Sequence, residues 1–173
     1  MLKQTQQKNM QTIYSIMNIV ENEFCQTANI HYKDKFILIS MDLGYIYGDR
    51  ESGPNGAKKE FLTKSAAFLR ALGKDLDFKE MNVIKNSAGI AVSGDVSLYG
   101  MWSGGNGLYL KIEEPVKPFT AFLYRHITGL KDCSGGENQW LSCSIFEDGD
   151  YDRLIHALLA LHKPSGTEVR HVA

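Results

Sequence analysis

Cysteine is scarce in this chain of 173 residues: Cys25, Cys133 and Cys143 are odd in number, and no two stand in Cys-x-x-Cys spacing. That argues against a disulfide framework or a zinc knuckle and points to a reducing, cytoplasmic setting. Proline is also sparse, with 4 residues against 16 glycines, a balance that favours tight turns over extended linkers. An excess of charge of one sign is missing too. With 19 basic and 20 acidic side chains the net charge is -1, so no global field draws the molecule to a nucleic acid or an anionic membrane, and any such binding must use a local patch. No window approaches the roughly 18 apolar residues of a membrane span. The first nine residues are too polar for the apolar core of a signal peptide, so neither membrane spanning nor standard export is expected.

What is present is ordinary globular material, 43% apolar and 23% charged, in a length that buries about two thirds of the unfolded surface as one domain. A single domain over 1–164 is expected, with a loose tail over 165–173. Met10, Ile13, Met17, Val20 and Phe24 recur at intervals of three and four, the apolar stripe of a helix over 6–25. Ile30 to Tyr32 and Phe36 to Met41 read as a hairpin, followed by turn chemistry from Gly48 to Gly56. Phe61, Leu62, Ser65, Phe68, Leu69 and Leu72 then form the face of a helix over 58–72, with Gly73 placed to end it.

Beyond that helix the period changes to two. Val83, Ile90 and Val92, Val96 and Leu98, and Leu108, Leu110 and Ile112 alternate with polar residues and are separated by Ser87-Ala88-Gly89, Gly94-Asp95 and Ser103 to Gly107. Such short connections exclude parallel crossovers, which need about a dozen residues, so the sheet is predicted to be antiparallel. Pro115 to Pro118 is expected to break the run before strands over 119–127 and 139–146, joined by a long loop over 128–138. Asp150 is the expected cap of a last helix carrying Tyr151, Leu154, Ile155, Leu158 and Leu161, stopped by Pro164. The predicted class is α+β: a mainly antiparallel sheet of about six to eight strands with N-terminal, central and C-terminal helices.

Motifs for nucleotides and metals are incomplete. The glycines from Gly100 to Gly107 have neither Gly-x-Gly-x-x-Gly spacing nor a following helix. Asp148, Asp150 and Asp152 imitate the start of a calcium loop, but Arg153 and Leu159 occupy the positions that require Gly and Glu. His31, His126, His156, His162 and His171 make no metal-binding helical pair. No cofactor or metal is therefore expected.

Two local groupings remain. Arg125, His126, Lys131, Asp132 and Cys133 lie within nine residues, beside Ser134, Glu137 and Asn138. His126, Asp132 and Cys133 have the residue types of a thiol catalyst, while Arg125, Lys131, Glu137 and Asn138 are the polar groups of a binding loop. The second grouping is Lys59, Lys64, Arg70 and Lys74 on the central helix, opposed mainly by Glu60, with Tyr45, Tyr47 and Arg50 just upstream. That face suits phosphates or an acidic protein.

The leading expectation is a non-catalytic protein that binds another protein, as an accessory or inhibitory factor. A nucleic-acid module using the basic helix, and a small hydrolase or transferase using His126, Asp132 and Cys133, are the alternatives. The thiol reading predicts that Cys133 is alkylated selectively over Cys25 and Cys143 under native conditions; equal, slow labelling of all three, followed by mass spectrometry, counts against it.

Overall fold

The structure is a computed structural model and describes residues 2–28, 56–86, 95–116, 119–130, 136–144 and 148–162. Three helices are described, α1 (Leu2–Ala28), α2 (Gly56–Asp75) and α3 (Asp150–Leu159), with five strands, β1 (Glu80–Asn86), β2 (Asp95–Met101), β3 (Gly107–Val116), β4 (Phe119–Ile127) and β5 (Gln139–Ser144). The strands form one antiparallel sheet in the order β1-β2-β3-β4-β5. The class is thus α+β as expected, and five strands are described against the expected six to eight. The hairpin expected over 30–41, the strand expected at Ile90 and Val92, and the tail over 165–173 lie outside the described residues. No helix among the described residues is long and apolar enough to cross a membrane.

The alternation read in the sequence decides which side of the sheet meets the helices. Val96 and Leu98 of β2 and Leu108, Leu110 and Ile112 of β3 are buried in one core with Phe61, Phe68, Leu69 and Leu72 of α2 and with Leu76 just past its end. Met10, Ile13 and Ile16 of α1 and Tyr151, Leu154, Ile155 and Leu158 of α3 join it. Each such side chain contributes about 1.5–3 kcal/mol on leaving water. Packing is close enough to dictate residue size. A β-carbon on Gly100 would stand 2.2 Å from the Phe78 ring, so this strand position takes no side chain at all.

α2 continues past Gly73, which lies inside the helix rather than ending it. Its termination is a Schellman motif: Phe78 N–H donates to Gly73 O at 3.1 Å and Asp77 N–H to Lys74 O at 3.0 Å, with Asp77 at φ 58° in the left-handed conformation. Aspartate tolerates that conformation better than most residues, and Phe78 is thereby turned back onto the core. The start of α3 also differs from expectation. Gly149, at φ 85°, is the N-cap and has no side chain to offer, while Asp150 is the first helical residue, buried and bonded by Arg153. The missing cap comes from across the fold, where Gln7 Oε1 of α1 accepts the Tyr151 N–H at 2.7 Å.

The expected turn at Ser103 to Gly107 joins β2 to β3. Trp102 N–H donates to Asn106 O at 2.9 Å, with Gly104 and Gly105 at positive φ. The side chain of Trp102 is buried against Phe78, donates from Nε1 to Leu76 O at 2.8 Å and stacks on His162 beyond α3. Pro115 does not end its strand. β3 runs through it to Val116 after a register shift between Ile112 and Pro115, the irregularity by which a sheet absorbs a residue lacking an N–H. Replacing Gly100→Ala is expected to lower stability by about 1–3 kcal/mol through overpacking, measured by urea unfolding, and Phe78→Leu in the same chain should recover part of the loss. An additive double variant would show that the two sites do not collide.

Candidate functional site

Two regions qualify by geometry. The first is a cleft of about 250 Å³ between the start of α1 and the start of α3, lined by Lys3, Gln4, Gln7, Asp148, Gly149, Tyr151 and Asp152. Its polar groups are largely committed to one another. Lys3 Nζ pairs with Asp152 Oδ1 at 2.7 Å, Gln7 caps α3, and Tyr151, only 1% exposed, donates its hydroxyl to Asp75 Oδ2 at 2.5 Å. Burial raises the Tyr151 pKa first, and the bond to the Asp75 carboxylate raises it further. Gln6, which faces the same hydroxyl without making a hydrogen bond of ordinary geometry, works the other way. A phenol held in its protonated form is a poor base. The cleft is therefore a polar seam that holds α1, α2 and α3 in register.

The second region is the sheet face turned away from α1, α2 and α3, on which Asp95, Ser97, Leu123 and Ile127 are nonetheless buried. Pairing sets Asn82, Tyr99, Tyr109 and Arg125 in one row across β1 to β4. Asn138 completes the row by accepting from Arg125 Nε at 2.8 Å, with Nη2 on the same oxygen. The adjacent row is Ile84, Ser97, Lys111, Leu123 and Trp140. Tyr99 and Tyr109 meet at 4.8 Å between ring centroids, and Tyr109 OH lies 3.0 Å from Ser97 Oγ. Lys111 Nζ sits 3.5 Å from Asp95 Oδ2, both side chains mostly shielded. The two ends of the second row stand out: Trp140 is 57% exposed and Ile84 44%. Isolated exposed aliphatics are common, but a tryptophan that gives up this much buried area is informative.

The expected binding loop is divided by the pleat. Arg125 and Asn138 meet on the outer face, and Glu137 is exposed beside them. His126, next to Arg125 in sequence, points to the opposite face, where its ring meets Tyr124 edge-on at 6.2 Å between centroids, and Tyr124 OH donates to Gln139 Oε1. Successive strand residues alternate sides, so one site cannot take both. Lys131, Asp132 and Cys133 lie outside the described residues. Of the basic set, Lys59, Lys64, Arg70 and Lys74 are all exposed along α2, with Lys64 Nζ 3.6 Å from Glu60 Oε1. Among the described residues no group of three or more His, Cys, Asp and Glu side chains is placed to hold a metal.

No family model matches the chain, and neither a curated protein nor a solved structure shows significant similarity to it. The site reading therefore rests on geometry.

Trp140 was missed as a site residue because Trp140, Leu141 and Cys143 are apolar on both parities of β5, and alternation cannot then assign a face. Only the pairing of Trp140 with Leu123 does so. The seam gives a pH signature. With its folded pKa raised, Tyr151 contributes stability that is complete below the ordinary tyrosine pKa near 10 and is lost as pH rises beyond it, by up to about 1.4 kcal/mol per pH unit. Urea unfolding from neutral pH to about 11 should show Tyr151→Phe less stable at neutrality and lacking this loss. Parallel pH profiles for the two proteins would contradict it.

Proposed function

We propose that the protein is a non-catalytic binding protein that docks a protein partner on the outer face of its sheet, around Trp140. The observation that carries this reading is the exposure of Trp140 on β5 beside Leu123, one row from Arg125 and the Tyr99–Tyr109 pair. Tryptophan, tyrosine and arginine are the residues over-represented among those that dominate binding energy at protein interfaces. Asp95, Ser97, Leu123 and Ile127 of this face are buried, so the area open to a partner is the margin around Trp140, Asn138 and Glu137.

Polar groups around the tryptophan fit the same reading. Asn138 holds the Arg125 guanidinium in place, so less side-chain freedom is lost when a partner arrives. Asn82, Glu137 and Asn138 are exposed at the edges, where a polar rim belongs. An accessory or inhibitory factor needs nothing beyond such a surface.

The test is quantitative capture of partners by the immobilised chain in its native lysate, with crosslinking and mass spectrometry. Trp140→Ala is expected to weaken capture of the principal partner by about 30-fold, the effect of a 2 kcal/mol contact, while charge changes on α2 leave it unaltered. Recovery of uncomplexed monomer alone, together with turnover in a small-molecule screen, would overturn the proposal.

A further inference from the structure

We infer that the exposed line of α2 is a contact surface for the phosphate backbone of a nucleic acid. Lys59, Thr63, Ala67, Arg70 and Lys74 follow one another at intervals of four, four, three and four, which keeps them on one side of the helix. All five are exposed. At 1.5 Å per residue the line extends for about 22 Å.

No carboxylate interrupts it. Glu60, in the neighbouring row, is paired with Lys64, which stands off the line and is not counted in the surface. Asp75, at the end of the helix, accepts the Tyr151 hydroxyl. Among the described residues, Lys59, Arg70 and Lys74 have no ion-pair partner. Thr63 and Ala67 between the cations are short, so a strand can lie along the helix without a side chain standing in its way.

Helix stability does not account for the pattern. The macrodipole favours Lys74, the basic residue of the last turn, but the first turn holds Lys59 and no acidic residue, and there the helix field opposes a cation. Packing does not account for it either, because the buried side of α2 is the opposite one, carrying Phe61, Phe68, Leu69 and Leu72.

The donors on the line match phosphate. An arginine fork, two ammonium groups and a threonine hydroxyl are side chains that position a backbone without reading bases. With the whole chain at -1, attraction is confined to this stripe, so binding is modest, indifferent to sequence and steeply dependent on salt. The surface faces away from the sheet, so it stands or falls independently of the Trp140 face.

The experiment is fluorescence anisotropy of the full chain with a short, labelled single-stranded DNA of mixed sequence over a series of salt concentrations. Three phosphate contacts predict a slope of log K against log salt of about -2, at roughly 0.7 per contact. Lys59→Gln/Arg70→Gln/Lys74→Gln, with helix content checked by circular dichroism, should flatten that slope and weaken low-salt binding by about tenfold or more. Lys59→Arg/Lys74→Arg should retain both. Absence of binding at low salt, a slope near zero, or a triple variant that binds as well as wild type would overturn the inference. So would equal binding to polyglutamate, which would assign the stripe to an acidic protein.

Discussion

Burial of one side of α2 against β2 and β3 is the contact on which the remaining structure depends. Leu69 and Leu72 of the helix, Leu76 just past its end, and Leu98, Leu108 and Leu110 of the sheet have no accessible surface left. The helix approaches so closely that a β-carbon on Gly73 would meet Met81 Sδ at 2.8 Å, and one on Gly100 the ring of Phe78 at 2.2 Å. Interiors packed at this density tolerate little change in volume. The two surfaces proposed to act follow from the same contact, because fixing the apolar side of α2 inward sets its cationic line outward, and fixing one side of the sheet against α2 sets Trp140 on the other.

Polar bonds over long sequence distances set the angles at which the helices meet this core. Gln7 reaches Tyr151, 144 positions away, to cap α3, and Tyr151 reaches Asp75 at the end of α2. Lys3 and Asp152 add an ion pair at the surface, worth little alone. The buried bonds matter more because an unmade partner at these positions would leave a donor or acceptor out of water. Trp102 acts in the same way on the other side, tying the β2–β3 turn to the C-terminal end of α2 through Leu76 O.

Much of this was legible in the chain, since a period of two from Val96 to Ile112 and short glycine turns specify antiparallel strands, and the period of α2 specifies its buried side. Helix ends were less legible. Gly73 and Asp150 have the chemistry of end signals, yet the left-handed residue that closes α2 is Asp77, and the group that caps α3 is Gln7. A local rule sees only local partners. The loop grouping around Arg125 and His126 likewise depended on adjacency, which a pleated strand converts into separation.

The amino-acid order by itself determined the class of fold, the apolar sides of the helices and the basic line of α2, because each is a property of spacing within one element. Tertiary structure decided that Arg125 joins Asn138 instead of His126, that Tyr151 is a buried anchor, and that Trp140 faces water. Those facts require knowing which strand lies beside which and in what register, and register is set by the sum of contacts across the sheet.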